Sequence, residues 1–338
     1  MSTAPAAVRR ADTHDFPDIL ELARRALGWT DDDARFLEWK HLENPFGVSP
    51  MWVALDDDRI VGFRAFLRWQ LVTPDGTAGS AGTAGSAGTV VDAVRAVDTA
   101  TDPDHQGRGI FTQLTLEALA DLLDDGVALV FNTPNEKSLP GYLKMGWREL
   151  GRLPVAVQPT SLRFPRVIAT ARQPAGRWPL PTTAGDDPAV AFADGDALDA
   201  LLAGQPSPRG LTTRRSAALL RWRYGLEPLG YRVVRLGPGP ADGLAVFRRR
   251  RRGDAVEGVV CEVLAPQGDR KAASELLRQV RKAADADYLL RLDPRPVTRG
   301  PFVRLPRVGP VLACRTLGTA SAPDLSGWAL TMGDVELF

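Results

Sequence analysis

A glycine-containing segment in the first half of the chain places the strongest constraint on the fold. Residues 104–111 read Asp-His-Gln-Gly-Arg-Gly-Ile-Phe and lie between an alternating apolar run that ends at Thr101 and a helical pattern that begins at Ile110. A glycine turn between a strand and a helix exposes backbone N–H groups at the helix N-terminus, where the helix dipole also favours negative charge. The segment therefore predicts a pyrophosphate-binding loop within an α/β domain.

A second constraint is a pattern that occurs twice. Residues 39–47 and residues 222–230 both read Trp-basic-aromatic, then three residues, then Pro-apolar-Gly. A helical stretch precedes each copy and a strand-like run follows it, so duplication explains the match better than chance. We interpret Trp39 and Trp222 as core anchors before a Pro-Gly turn, which makes the repeat evidence for architecture rather than for chemistry.

The length and the proline content predict two domains. The 338 residues suffice for two hydrophobic cores. We predict a first domain at 1–153, a Pro-rich connection at 154–188, a second domain at 189–320 and a C-terminal tail at 321–338. Residues 76–88 are small and polar, which indicates a flexible hairpin connection.

Five consecutive arginines at 248–252 invite two interpretations. They stand between two strand-like runs, which favours a solvated hairpin tip. An anion or nucleic-acid patch is the alternative, since clustered arginines attract phosphate.

Composition excludes several classes of protein. A hydrophobic content of 44% and a charged content of 25% are those of a soluble globular chain. A net charge of +1 gives no reason to expect a nucleic-acid or membrane partner. Two cysteines cannot form a disulfide framework, and no spacing suggests a metal site. We therefore expect a cytoplasmic protein without a metal ion, and the sequence leaves a homodimer open.

Two segments resemble motifs of the GNAT N-acyltransferases. Gln106 and Gly109 match the coenzyme A loop of that family, Gln/Arg-x-x-Gly-x-Gly/Ala, whereas Phe111 stands where a final Gly or Ala is usual. Residues 135–147, with Asn135, Ser138, Tyr142 and Gly-Trp, resemble the segment that follows the family's second splayed strand. The motifs cover residues 1–150, and the remainder is linked to them only by the repeat.

The resemblance implies a fold with two tandem GNAT-like α/β domains, each with a mixed, mostly antiparallel central sheet flanked by helices. The hydrophobic periods fit this order independently. In the second half, residues 263–277 lack the Gly-x-Gly turn, so we expect that half to bind no coenzyme A. The predicted strands of the first half lie at 6–10, 51–55, 59–71, 90–101 and 127–132, and its helices at 15–27, 31–42, 110–123 and 139–145.

The resemblance also implies an activity: transfer of an acetyl or other short acyl group from acetyl-CoA to a primary amine, by direct attack in a ternary complex. Tyr142 falls where the family places its general acid. Asn135 either contacts the coenzyme or caps its own loop, and Ser138 is expected to cap the short helix. The expected coenzyme-binding residues are Thr99, Ala100, Thr101, Gln106, Gly107, Arg108, Gly109, Ile110, Phe111, Asn135 and Ser138.

Several points stay open at the level of sequence. The acceptor is a small-molecule or peptide amine of unknown identity, and the acyl chain length is not fixed. Asp98 and Asp92 are weak candidates for the general base, because strand carboxylates are usually solvated, and His41 is interpreted as a packing residue. The terminal carboxylate of Phe338 is a further candidate, since tandem GNAT proteins of the enhanced-intracellular-survival type bring their chain end into the active site.

Two other functions compete with acyl transfer to an amine. The chain could be an acyl-CoA-binding or scaffold protein without turnover, as Phe111 and the missing base suggest. An aminoacyl-transferase of the peptidoglycan-bridge type is a weaker alternative, because the coenzyme loop of the first half is intact.

Overall fold

The computed structural model describes residues 6–29, 33–74, 88–164, 173–207, 209–293, 301–305, 308–319 and 321–336. The chain forms two compact units, and neither is a continuous stretch of sequence. The first unit consists of Met1–Val72, Val90–Gly151 and Val311–Asp324. The second consists of Thr73–Thr89, Arg152–Pro310 and Leu325–Phe338. The predicted flexible connection at 76–88 lies, except for Gly88, outside the described residues, and so does Phe338.

The first 152 residues carry the strands and helices that the hydrophobic periods predict, with ends that shift by two residues at most, and a final strand that was not predicted. Their order is β1 (Ala7–Arg10), α1 (Phe16–Leu27), α2 (Asp33–Leu42), β2 (Met51–Asp56), β3 (Arg59–Val72), β4 (Val90–Thr101), α3 (Ile110–Asp124), β5 (Leu129–Asn132), α4 (Leu139–Lys144) and β6 (Arg148–Arg152).

The rest of the chain continues with short helices and a second set of strands. Their order is β7 (Val155–Pro159), β8 (Ala175–Pro179), α5 (Pro188–Ala191), α6 (Gly195–Ala203), β9 (Thr212–Thr213), α7 (Ala217–Gly225), β10 (Arg232–Arg235), β11 (Leu244–Arg252), β12 (Ala255–Leu264), α8 (Arg270–Ala284), β13 (Tyr288–Leu292), β14 (Val303–Leu305), β15 (Val311–Thr316) and α9 (Met332–Val335).

The sheet of the first unit runs in the order β1-β2-β3-β4-β5-β15-β6. Its described pairs are antiparallel except for β4 and β5, which are parallel. The sheet of the second unit runs in the order β10-β11-β12-β13-β7-β14, with β8 beside β11, and its parallel pair is β12 and β13. Two mixed, mostly antiparallel sheets flanked by helices are the architecture that the sequence predicts.

Two strands depart from the predicted domain boundaries. Strand β15 pairs with β5 in the first unit, although it comes from the end of the chain. Strand β7 pairs with β13 in the second unit, although it follows directly on the first half. Residues 154–188, which the sequence suggests as a connection, therefore contribute β7 and β8 to a sheet.

Helix α3 packs one apolar face into the hydrophobic core of the first unit. Its apolar residues recur every four positions, and Ile110, Leu114, Ala118 and Leu122 are all buried in one cluster. The helix ends at Asp124, with Asp125 as its C-cap, and is followed by Gly126, whose φ of 80° is left-handed. Strand β5 follows with four consecutive buried residues, as expected for a parallel strand that is covered on both faces.

The repeated pattern has the same surroundings in both units. Trp39 and Trp222 are both buried, which confirms that they are core anchors. In the first copy His41 Nε2 lies 2.8 Å from a carboxylate oxygen of Asp98 on β4. In the second copy the hydroxyl of Tyr224 donates to Glu262 on β12, over 3.0 Å. Each copy thus ties a helix end to a carboxylate on the strand before a loop and a helix, which strengthens the case for duplication.

The prediction of a solvated arginine tip at 248–252 is wrong. Strand β11 runs through all five arginines, and the turn follows at Gly253. Alternate side chains of a strand point to opposite faces, and Arg248 and Arg250 point inward. The charge of Arg250 is matched by Glu257 at 2.6 Å and by Glu336, so burial is compensated within the second unit.

Candidate active site

Strand β4 pairs with β3 to its end, but it loses its second neighbour, β5, partway along. Its parallel pairing with β5 ends at Arg95 and Phe131, yet β4 continues to Thr101. On its other edge, Phe66 pairs with Ala96 and Arg64 with Thr99, so Val97 and Asp98 together face one residue of β3. This β-bulge bends the strand just before Thr99–Thr101. The part of β4 that the sequence assigns to the pantetheine arm therefore lies beyond its pairing with β5.

The glycine loop follows β4 and leads into α3. Gly107 and Gly109 have φ values of 76° and 79°, in the left-handed region that other residues avoid. No side chain caps the N-terminus of α3, and its first turn contains no acidic residue. The first N–H groups of a helix have no partners within the helix, so this end can accept an anion.

A cleft of about 460 Å³ opens between this loop and the segment before α4. Ten of the eleven residues that the sequence assigns to coenzyme binding line it, and they come from β4, the loop, α3 and residues 135–138. The exception is Arg108, which is exposed and donates to the carbonyl of Asp104 over 3.4 Å. The residues around the cleft are Ala26, Leu27, Thr99, Ala100, Thr101, His105, Gln106, Gly107, Gly109, Ile110, Phe111, Asn135, Lys137, Ser138 and Gly141.

The cleft fits a pyrophosphate carried by an extended arm. A Cβ placed on Gly107 or Gly109 would meet no atom within 4 Å, so the space beside these backbones is open to a ligand. Lys137 adds a cation at the rim. Thr99–Thr101 offer backbone groups along one wall. A nucleotide pyrophosphate would bind at the loop, and its arm would run along β4.

The loop before α4 is capped by Asn135 rather than by Ser138. Asn135 Oδ1 accepts from the N–H groups of Lys137 and Ser138, at 3.0 and 2.9 Å. Ser138 makes no side-chain cap, because its backbone is already helical at φ −90° and ψ −27°. The expectation that Ser138 caps the helix is therefore wrong. Two roles were left open for Asn135, contact with the coenzyme and capping of its own loop. Its Oδ1 caps the loop.

Tyr142 lies behind the cleft on the first turns of α4. Its ring is 4% exposed and meets Phe111 edge-to-face, with centroids 5.5 Å apart. Arg64 Nη2, on β3, donates to Tyr142 Oη over 2.6 Å. Phe111 itself lines the cleft, so the hydroxyl is one side chain removed from the space where a coenzyme would lie.

Phe111 departs from the family pattern, and α4 compensates for it. A Cβ on Gly141 would lie 3.2 Å from Phe111 Cε1, so the absence of a side chain at residue 141 leaves room for the phenyl ring. Glycine inside a short helix costs stability. The ring of Phe111 thereby joins Tyr142 to the wall of the cleft.

Arg64 is the site residue that the sequence analysis missed. It sits in an apolar strand, Ile60–Leu67, where one arginine is easily taken for a solvent-facing residue. In the structure it is fully buried. An arginine at an inward position of an otherwise apolar strand is the signal that could have identified it.

Asp98, in the bulge, belongs to a buried charge cluster and is not a solvated carboxylate. Lys40 Nζ lies 2.8 Å from Asp98 Oδ2, and His41 Nε2 lies at the same distance from that oxygen. Lys40 and His41 are 1% and 0% exposed. Asp92, by contrast, is exposed and accepts from Gln70. The cluster fixes α2 to the bulge of β4, which makes Asp98 a positioning residue rather than a base.

Two titratable members of this cluster, His41 and Asp98, have shifted pKa values. Burial lowers the pKa of His41, although its hydrogen bond with Asp98 partly opposes that shift. Burial by itself would raise the pKa of Asp98, but the charge of Lys40 and the hydrogen bond from His41 outweigh it and hold that pKa well below its usual range. Asp98 therefore stays ionised at neutral pH, and His41 stays neutral.

The first prediction concerns acid stability. Because the folded chain disfavours a proton on His41, stability is fully present above the unfolded histidine pKa of about 6.5 and declines as the pH falls below it. Protonation of Asp98 in the unfolded chain adds a second loss below about pH 4. We expect His41→Gln to remove up to about 1.4 kcal/mol of the stability difference between pH 7 and pH 5.5.

The measurement is the free energy of unfolding of the first unit against pH, with His14→Gln as the control. His14 is an exposed histidine, so its replacement removes one imidazole from the chain without opening a buried contact. An unchanged slope in His41→Gln would show that this imidazole accepts a proton freely in the folded chain.

The part of the chain that the structure describes contains neither a candidate metal site nor a candidate membrane-spanning helix. No group of three or more His, Cys, Asp or Glu side chains is placed to hold a metal ion there. Within the same residues, no helix is both long enough and apolar enough to cross a membrane.

The first unit thus combines a split parallel strand pair, a bulged strand and a glycine loop before an uncapped helix. Residues 7–150 match the model of the acetyltransferase (GNAT) domain family. These residues therefore form a GNAT acetyltransferase domain. No curated protein matches the sequence.

The fold of the chain is similar to that of solved structures. A GCN5-related N-acetyltransferase from Anabaena variabilis matches with a TM-score of 0.59 at 12% identity, over 91% of this chain and 72% of the other. A probable N-acyltransferase from Enterococcus faecalis matches at 0.58 and 14%, over 92% and 72%. Eis1 from Mycobacterium abscessus matches at 0.54 and 16%, over 92% and 73%. At such identities the similarity establishes the fold.

Proposed function

We propose that this protein transfers an acetyl or other short acyl group from coenzyme A to a primary amine of a small molecule or a peptide. The amine attacks directly in a ternary complex, and Tyr142 donates the proton that the departing thiolate needs. The cleft carries this proposal, because it joins an anion-accepting loop to a tyrosine that is separated from it by one side chain.

Three parts of the cleft would each bind a different part of the coenzyme. The loop from Gln106 to Gly109 would hold the pyrophosphate through backbone N–H groups, since the helix end concentrates positive potential there. Thr99–Thr101 would hold the arm and present an N–H group to the thioester oxygen, which polarises the carbonyl. Lys137 would neutralise phosphate charge at the rim.

The proton balance needs one donor in the protein. The amine nitrogen bonds to the acyl carbon and loses a proton to water, because Asp98 is committed to its ion pair. The carbon–sulfur bond breaks, its electron pair goes to sulfur, and sulfur takes the proton of Tyr142 Oη. The products are the amide and the free thiol, and the phenolate regains a proton from solvent.

At the place that corresponds to the glycine loop, the described residues of the second unit lack the features that favour an anion. Helix α8 is capped by Asp269, whose carboxylate accepts from the N–H of Lys271 at 2.8 Å. A negative cap at a helix N-terminus occupies the position that a phosphate would take. A Cβ on Gly268 would lie 2.4 Å from Pro206, so the preceding loop is also filled. We infer that this unit binds no coenzyme A.

The second prediction tests the proposal by stoichiometry. Calorimetric titration of acetyl-CoA should give one site per chain, because the N-terminus of α3 is uncapped behind its glycine loop, whereas that of α8 is capped by Asp269. Two sites would contradict the assignment of the second unit. No heat and no competition by coenzyme A would overturn the acyltransferase proposal.

Turnover distinguishes an acyltransferase from the second candidate function, a protein that binds acyl-CoA without transferring the acyl group. Among the described residues that line the cleft there is no carboxylate to act as a base, and this favours that second candidate. A panel of amines, including amino sugars, amino acids and peptides, should be screened for release of free thiol from acetyl-CoA. Release of thiol that depends on an amine supports the acyltransferase. Binding of acetyl-CoA without thiol release in the presence of any of the amines supports the binding protein.

A further inference from the structure

Arg64 is a buried cation without a carboxylate partner among the described residues. It is 0% exposed, and its single hydrogen bond there runs from Nη2 to Tyr142 Oη, over 2.6 Å. Its Nε and Nη1 atoms are buried and have no partner. A buried charge is costly unless it is paired and hydrogen-bonded, so this arrangement needs an explanation.

Two other arginines with little exposure, Arg215 and Arg223, are engaged more fully. Arg215 lies 3.0 Å from Glu262 and 3.1 Å from Asp334. Arg223 also contacts a tyrosine, but its three nitrogens all donate, to Gly333 O, Tyr231 Oη and Glu336 O. Arg64 therefore differs from Arg215 and Arg223, because two of its three nitrogens have no hydrogen-bond partner.

The surroundings of Arg64 hold the charge in place without neutralising it. Its guanidinium carbon lies over the rings of Phe66, Phe111 and Tyr142, at 4.8, 5.5 and 5.4 Å from their centroids. Aromatic faces attract a cation through their quadrupole and keep water away from it. The result is a fixed positive charge beside one phenol oxygen, behind the wall of the coenzyme cleft.

We propose that Arg64 is the positioning residue of the general acid Tyr142. The inference rests on the proposed function. Because Tyr142 Oη accepts from Arg64, its own hydrogen is turned away from the guanidinium, and no described residue accepts it. When that hydrogen passes to the thiolate sulfur, the phenolate that remains becomes the counter-ion that Arg64 lacks. The charge is thus paired during turnover, and the electrostatic stabilisation needs no reorganisation.

The test is a double-mutant cycle, which is the third prediction. Arg64→Met keeps an unbranched apolar stem in place of the Cβ to Nε part of the side chain and removes the charge. We expect it to lower kcat by about 10- to 100-fold, as for loss of a charge-assisted hydrogen bond, without a change in KM for acetyl-CoA. In the Tyr142→Phe background the same change should have almost no effect, because the partner is already gone.

Arg95 supplies the matched control. It is as deeply buried, on the neighbouring strand, and lies over Trp69 and Phe131 instead of Tyr142. Arg95→Met should have the same effect in the presence and in the absence of the Tyr142 hydroxyl. Equal losses from Arg64→Met in both backgrounds would show that Arg64 acts through packing alone and would overturn the proposal.

Chemical rescue separates positioning from folding. Arg64→Ala leaves a space for methylguanidinium, which should raise kcat about tenfold or more in that variant and not in Arg64→Ala with Tyr142→Phe. If Arg64→Met does not fold, Arg64→Lys takes its place, because lysine keeps the charge and loses the planar guanidinium. The kcat of Arg64→Lys should lie between that of wild type and that of Arg64→Ala with methylguanidinium. Normal turnover by Arg64→Met overturns this inference alone, whereas a wild-type chain that releases no thiol overturns the proposed function together with it.

Discussion

Tyr142→Phe should lower kcat by about 100-fold or more and leave the Kd for acetyl-CoA within about twofold. A general acid contributes roughly 100- to 10,000-fold, and phenylalanine removes only the proton donor. The ring contacts with Phe111 and Trp147, at 5.5 and 5.1 Å between centroids, are kept. The measurements are thiol release at saturating amine and calorimetric titration of acetyl-CoA.

A loss of stability accompanies this substitution and must be separated from the loss of turnover. Removal of the hydroxyl leaves Arg64 without its hydrogen bond, which should cost about 1–3 kcal/mol in the free energy of unfolding. Tyr231→Phe is the control, because Arg223 Nη1 donates to that buried hydroxyl over 2.8 Å in the second unit. Similar melting points and unequal kcat values are expected. Equal losses of kcat in both variants would contradict a catalytic role for Tyr142.

Local patterns of the sequence account for the first unit and for the walls of its cleft. Helix α3 was predictable because its apolar residues repeat with the helical period, and the loop before it because glycine is the residue that tight, left-handed turn positions favour. Both features depend on neighbours in sequence. The coenzyme-binding residues could be proposed for the same reason, since most belong to the loop or to the strand that enters it.

Contacts between distant parts of the chain could not be predicted. Nothing in residues 311–316 distinguishes a strand for the first unit from one for the second, because both sheets would accept the same apolar alternation. The link between Asp98 and His41 spans 57 residues, and that between Arg64 and Tyr142 spans 78. Side-chain burial decides these roles, and it is a property of the packed core rather than of any local pattern.

Gly109→Trp should abolish binding of acetyl-CoA, with a Kd at least about 100-fold weaker. Gly109 is the N-cap of α3, and a Cβ there would point into open space beside the loop. An indole at that position would fill the place of the pyrophosphate and cover the N–H groups at the helix end. Calorimetric titration of acetyl-CoA into wild type and variant measures the effect.

Backbone strain is the competing explanation, and Gly126 isolates it. Its φ of 80° is nearly the same as the 79° of Gly109, and a Cβ on it would also meet nothing within 4 Å. A residue other than glycine costs about 1–2 kcal/mol at either position. Gly126 follows α3 at its far end and does not line the cleft. Gly126→Trp should therefore lose as much stability as Gly109→Trp and still bind acetyl-CoA normally. If both variants lose binding alike, strain in α3 is sufficient to explain the loss, and the loop is not the pyrophosphate site.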